Sequence, residues 1–237
     1  MKALLRFFGL ADAGDSAVRP FTLPPVSLLE ALRQVSRRTV LGVAVGIVAV
    51  AALAVAAWFW YSAEQNRALA AYAETMARVR AAQASQAKPE DRAAAARDLE
   101  ATLARFPSSS AAAPAAYQLA GLRYDAGEYA AARGAYQIVL ARAGSATLRT
   151  LARAGIGYTL ESEREYAKAV AAYQTALAGL GPKDFYYEPL LLDLGRGQEL
   201  AGQKAEAIET YRRVLTELPQ ARRAEEVRAR LLNLGAN

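Results

Sequence analysis

Residues 128–140, EYAAARGAYQIVL, recur as EYAKAVAAYQTAL at 165–177 and as QKAEAIETYRRVL at 203–215. In register, Ala132, Ala169 and Ala207 are each followed four residues on by Tyr136, Tyr173 and Tyr211, and four later by Leu140, Leu177 and Leu215. Residues four apart share one helix face. The alanines lie 37 and 38 residues apart, an interval at which internal periodicity means stacked supersecondary units. A fainter copy precedes them: Ala95, Leu99 and Leu103 keep the spacing, and Phe106-Pro107 closes that stretch as Leu218-Pro219 closes the last. Small residues such as Ala132, Gly157 and Gly195 let the two helices of a hairpin approach closely, while the three tyrosines fill the space toward the neighbouring unit. The terminal stretch ARRAEEVRARLLNLGAN offers Val227, Leu231 and Leu234 to cover the last apolar face, as an end cap requires.

These residues resemble the tetratricopeptide repeat, a helix-turn-helix unit. Leu119-Ala120 with Gly127-Glu128-Tyr129, Ile156-Gly157 with Glu165-Tyr166, and Leu194-Gly195 with Gly202 and Pro219 carry the likeness, which runs from Pro89 to Pro219. The departures are Arg164 where the turn glycine belongs, Val139 and Val214 where the family prefers alanine, and a few extra residues between units. The resemblance implies an all-α chain, with a tetratricopeptide-repeat α-solenoid of about three to four helical hairpins and a C-terminal capping helix. It also implies a concave groove, lined by the first helix of each pair, that binds extended peptides or partner helices. Carried over by register, the groove positions are Tyr117, Tyr124, Asp125, Tyr158, Glu161, Arg196 and Glu199. The competing reading makes the tyrosines helix-packing residues and the charges a solvated face.

Upstream of the repeats, Val40 to Tyr61 is a run of 22 residues without a charge. As a helix it extends about 33 Å, enough to cross a hydrocarbon core of about 30 Å. We therefore expect four segments: a cytoplasmic arm with a short amphipathic helix over 1–39, a transmembrane helix over 40–61, a membrane-proximal helix over 62–88, and the repeat domain with its cap over 89–237. Arg33, Arg37 and Arg38 precede the span, with Lys2, Arg6 and Arg19 further back, whereas Arg67 alone follows closely. That bias keeps the amino terminus in the cytoplasm. Trp58, Phe59, Trp60 and Tyr61 suit the headgroup layer at the exit end. Ala54 and Ala56 resemble a signal-peptide cleavage site, but the apolar run is long and begins late for that role.

Within the arm, Ser27-Leu28-Leu29-Glu30 is a capping-box pattern that starts a helix. In the span, Gly42 and Gly46 have the spacing that lets a second helix approach closely, although alanine-rich sequence produces such pairs by composition alone. After Tyr61 the helical pattern continues with Leu69, Tyr72, Met76 and Val79 on one face. That face packs on the chain's own domain or pairs with a second copy, so a homodimer through the span or this helix stays open. Lys88-Pro89-Glu90-Asp91 ends the pattern and begins a new helix, with proline and acids in its first turn.

The net charge of +6 suggests a nucleic-acid partner until it is divided along the chain. The first 39 residues hold 6 Lys/Arg against 3 Asp/Glu, leaving 23 against 20 for the remainder. Much of the basicity is thus topology signal, and no nucleic-acid partner is expected. The chain has no cysteine and no histidine. Disulfides, thiolate nucleophiles, a lipoprotein's acyl anchor and histidine-dependent triads or zinc sites are thereby excluded. No glycine loop for phosphate is present, no cofactor is expected, and Glu161, Glu163 and Glu165 crowd one turn region as a solvated connection does. The expectation is a non-catalytic chain.

A second candidate surface is GLGPKDFYYEPL at 179–190, where Phe185, Tyr186 and Tyr187 form the densest aromatic cluster outside the span. Three adjacent aromatics cannot all point inward. At least one is expected to be exposed and available to a partner.

A basic arm, one span and an exported tetratricopeptide domain look like the bacterial family of ancillary Sec-translocon subunits, which work beside a membrane-anchored periplasmic chaperone. The resemblance implies a single-pass protein of the bacterial inner membrane with its C-terminal domain in the periplasm. Its implied partners are translocon subunits, the periplasmic chaperone or exported chains. The alternative is a scaffold that positions a partner in another envelope complex, such as cell-wall, secretion or energy-metabolism machinery. The register itself yields a first prediction: Ala169→Leu overpacks its hairpin and lowers stability by about 1 to 3 kcal/mol in denaturant unfolding.

Overall fold

A computed structural model describes residues 36–84 and 88–236. The expectations for the arm, including the helix begun at Ser27, lie outside the described residues. Every regular element among those described is a helix: α1 Arg37–Ala82, α2 Pro89–Arg105, α3 Ala112–Asp125, α4 Tyr129–Arg142, α5 Ala146–Ser162, α6 Tyr166–Leu177, α7 Tyr187–Leu200, α8 Lys204–Glu217 and α9 Ala224–Asn233. The chain divides into two compact units, one ending at Trp58 and one running from Phe59 to Asn237.

In the first unit, Val40 to Val55 of α1 present large apolar side chains with half or more of their surface open. By length and composition α1 is able to cross a membrane, its most apolar window having a mean hydropathy of 2.7. A Cβ on Gly42 or Gly46 would meet nothing within 4 Å.

The second unit is a stack of hairpins. The C-terminal half of α1 pairs with α2, and then α3 with α4, α5 with α6 and α7 with α8; α9 closes the end. The faint first repeat packs with α1 through side chains: Ala95, Leu99 and Leu103 of α2 are buried in one cluster with Tyr72 and Val79 of α1. The buried stripe of α1 is Ala68, Tyr72, Thr75, Val79 and Ala82, whereas Leu69, expected inside, is 45% exposed and Met76 half-buried. The crossing explains the shift. Thr75 Oγ1 lies 3.0 Å from Thr102 Oγ1, and the Tyr72 hydroxyl donates to the Phe106 carbonyl at 3.1 Å, so small and polar residues carry this contact and a leucine stands aside.

Helix starts follow local chemistry. Pro89 opens α2, and Asp91 reaches back to the Lys88 amide at 3.2 Å. Ser145 caps α5. Helix ends repeat as strictly as the helices do. Gly127, Arg164 and Gly202 occupy one register position and take φ of 76°, 63° and 75°. At each, the next residue donates back to a carbonyl five positions earlier, as Glu165 does to Leu160 at 2.8 Å. Arg164, the departure noted in the sequence, therefore holds the left-handed turn that glycine holds elsewhere.

The stack is spaced by rings over glycines. Ala132, Ala169 and Ala207 are fully buried, as are Tyr173 and Tyr211, with Tyr136 nearly so. A Cβ on Gly155 would lie 2.2 Å from the Tyr136 ring; on Gly157, 2.4 Å from Tyr173; on Gly195, 2.5 Å from Tyr211. A Cβ on Gly197 of α7 would also meet the Tyr173 ring, at 3.4 Å. Tyr136, Tyr173 and Tyr211 thus each occupy volume vacated by glycine on a neighbouring first helix.

Two alanine substitutions should move stability in opposite directions. Gly157→Ala drives a methyl into a ring with no free surface and lowers stability by about 1 to 3 kcal/mol. Gly121→Ala, where nothing lies within 4 Å, raises it by about 0.5 to 1 kcal/mol through helix propensity. Urea unfolding of the two variants checks this, and shifts of the same sign would contradict it.

Candidate interaction groove

The first helices α3, α5 and α7 stand side by side, and the groove positions project from them. Tyr117 is half-buried, its ring edge-on to Tyr136 at 5.8 Å. Tyr124 is half-buried, with its hydroxyl 3.0 Å from Ser162 Oγ and its ring 5.5 Å from Tyr129. Asp125 is exposed at the end of α3. Tyr158 packs edge-on to Tyr173 at 5.6 Å and donates its hydroxyl to Asp193.

The charged positions form a network rather than a solvated face. Glu161 accepts from the Tyr173 hydroxyl at 2.9 Å and from Arg196 Nη2 at 3.1 Å. Arg196 also reaches Asp193 at 3.1 Å; its Nε lies 3.0 Å from Glu161 without the alignment of a hydrogen bond. Glu199 repeats the motif one unit on, accepting from the Tyr211 hydroxyl and from Arg230 at 3.1 Å. Arg230 also stacks over the Tyr211 ring, 5.9 Å from its centroid. Two of the buried tyrosines and the candidate groove charges are therefore one structure: Tyr173 and Tyr211 present their hydroxyls to Glu161 and Glu199.

Burial dominates the ionisation of these groups. It pushes Tyr158, Tyr173 and Tyr211 up, and the carboxylates at their hydroxyls push the same way. They remain neutral donors at physiological pH. Burial likewise raises Asp193, against the pull of the Tyr158 hydroxyl and the Arg196 cation.

The aromatic cluster at the start of α7 splits. Phe185 is 75% exposed and Tyr186 is half-buried, their rings edge-on at 5.1 Å. Tyr187 turns inward at 5% exposure, donating to Glu217 and accepting from Arg213 at 2.8 Å, so it packs the core and offers no surface to a partner. Tyr186, like Tyr158, packs against the buried cluster that contains Ala154, Tyr173 and Leu190. Of the turn glutamates, Glu163 pairs with Arg133 and Glu165 with Lys168 at 2.9 Å. Among the described residues no three metal-capable side chains cluster.

Asp193 and Arg230 were not among the positions carried over by register. Asp193 was visible as the lone charge in the apolar run LLLDLG. Arg230 belongs to the cap, which has no register with the repeats, so its partner follows only from the packing of α9 on α8.

The pattern that defines the tetratricopeptide repeat-like domain family matches residues 36–236. Among characterised proteins, the ancillary SecYEG translocon subunit of Neisseria gonorrhoeae is 30% identical over 117 residues, which cover 48% of this chain and 53% of that protein. The chain thus spans about half the length of the relative it matches. Among solved structures, the MamA protein is similar at a TM-score of 0.44 and 20% identity, over 60% of this chain and 67% of MamA.

The raised Asp193 gives a signed pH prediction. The folded chain binds a proton there more readily than the unfolded chain, so this group's contribution falls as pH rises from the ordinary carboxylate value of about 4 through the raised folded value. Asp193→Asn removes that dependence. Relative to the parent, the variant should gain stability as pH rises from about 4 toward about 7 in denaturant titrations; a flat difference or one of opposite slope would contradict the assignment.

Proposed function

The chain belongs to the tetratricopeptide repeat-like domain family, and from that premise we propose that it is an inner-membrane interaction subunit that assists protein export beside the Sec translocon. The family and the fold support a protein-interaction module; export is the finer reading. The observation that carries it is the 30% identity to the ancillary SecYEG translocon subunit of Neisseria gonorrhoeae, joined to an α1 able to serve as an anchor. In this reading the arm is cytoplasmic, the repeats face the periplasm, and the groove of α3, α5 and α7 receives translocon subunits, a periplasmic chaperone or chains in transit. The work is binding, not catalysis. Its carboxylates, Glu161, Asp193 and Glu199, are each held by tyrosine and arginine donors, which suits a shaped surface more than an acid/base pair.

The test is photocrosslinking in intact membranes, with the reactive residue in place of Tyr124 and, as control, in place of the exposed Lys168. Capture of translocon subunits or exported chains from position 124 but not 168 is the expected result. Capture of one dominant partner from another envelope complex would replace export by a dedicated scaffold, and equal capture from both positions would remove the groove from the account.

A further inference from the structure

Second helices of neighbouring hairpins leave clefts between them. One lies between α2 and α4 over Leu119 of α3, encloses about 440 Å³, and is walled by Leu103, Ala131, Gly134 and Ile138, with Glu100 and Arg142 as its charged residues. Another lies between α6 and α8 over Leu194 of α7 and encloses about 360 Å³. The two are equivalent by register: Leu103 corresponds to Leu177, Leu119 to Leu194, and Ala131, Gly134 and Ile138 to Glu206, Glu209 and Arg213. The leucines are common to both, so the repeat itself makes the cleft. The wall on α8 is charged where the wall on α4 is apolar, so the repeat does not account for the apolar lining of the first.

Gly134 sharpens the contrast. It sits inside α4, where glycine weakens a helix, and a Cβ there would meet nothing within 4 Å. No ring fills the space over it, as rings do over Gly157 and Gly195; its missing side chain deepens the cleft instead. The charges are uneven as well. Glu100 is held by Arg123, with Nη2 2.5 Å away. Arg142, in the last turn of α4, is exposed and has no carboxylate partner among the described residues. The cleft therefore offers an apolar trough with one uncommitted cation.

We infer that this cleft binds a single-chain carboxylate amphiphile, its carboxylate on Arg142 and its hydrocarbon chain along Ile138, Gly134 and Ala131. From Ala131 to Arg142 the helix rises about 16 Å, the length of a chain of about a dozen carbons. Every lining side chain besides Glu100 and Arg142 is apolar or absent, so the amides of an extended peptide would lose water there unpaired. A helix laid in the cleft, about 10 Å across over that length, would need more than about 1,000 Å³. Clefts of a few hundred Å³, with apolar walls and few polar groups, suit small ligands. Arginine stays charged and pairs a carboxylate through two parallel hydrogen bonds. The site lies on second helices, so it stands apart from the groove of α3, α5 and α7.

The experiment irradiates the full chain in lipid nanodiscs, with empty nanodiscs as blank, in the presence of dodecanoic acid carrying a diazirine in mid-chain. Crosslinked peptides are mapped by mass spectrometry. Unlabelled dodecanoic acid and dodecanol compete at matched lipid-bound concentrations, so that partition into the bilayer does not separate them. Crosslinks should fall on α2 and α4 near Leu103 and Ile138, and the acid should compete about tenfold better than the alcohol. Gly134→Glu installs the residue that α8 carries at this position, and Gly134→Leu fills the trough; each should cut capture about tenfold without lowering the melting temperature. Arg142→Gln should bring acid and alcohol within about twofold of each other. Crosslinks confined to α1 or spread equally over α6 and α8, or capture unchanged in both Gly134 variants, would overturn the site. Equal competition by acid and alcohol in the parent would overturn the seat of the carboxylate on Arg142. Displacement of the label by an apolar helical peptide more readily than by dodecanoic acid would overturn the amphiphile and make the cleft a seat for a helix.

Discussion

The fold depends on the fit of a tyrosine ring into the space left by glycine. Tyr173 is wholly enclosed, with Gly157 beneath it on its own hairpin and Gly197 beside it on the next. Protein interiors are packed densely enough that one methyl group at such a point displaces a helix. The ring therefore sets two distances at once, within a hairpin and between hairpins. Tyr211 over Gly195 repeats the fit within a hairpin, and Tyr136 over Gly155 makes a fit of the same kind between hairpins.

The same ring reaches the groove. Its hydroxyl emerges at the foot of a first helix and is met there by a glutamate, Glu161 for Tyr173 and Glu199 for Tyr211. That carboxylate is held in turn by an arginine two helices on, Arg196 of α7 or Arg230 of α9. Hairpin spacing, hydroxyl, carboxylate and arginine thus form one chain of contacts leading from the core to the first helices.

The periodic part of this was legible in the sequence. Alanine, tyrosine and leucine at constant spacing, with glycine on the opposing helix, state the hairpin and its neighbour because each unit solves the same packing problem. Even the irregular turn was legible in part: Arg164 marked the position, and the structure shows it adopting the left-handed φ of 63° that its glycine counterparts adopt. What periodicity does not state is which residues meet across units. Glu161 pairs with Arg196 and Tyr158 with Asp193, in each case one turn before the residue's own equivalent in the next repeat. That stagger is a property of the superhelix. The direction of Tyr187, the cap contact of Arg230 and the displaced stripe of α1 escaped for the same reason, since each depends on a partner in another helix and not on spacing along one.

A double-mutant cycle at Gly195 and Tyr211 tests the ring-over-glycine constraint most directly. Gly195→Ala and Tyr211→Leu each remove half of the fit, and the combination restores room for the added methyl. The account predicts that the double variant is more stable than the sum of the single losses implies, by about 0.5 to 3 kcal/mol of coupling in denaturant unfolding. Simple additivity would show that the ring and the glycine do not constrain each other, and the constraint would have to be sought elsewhere in the stack.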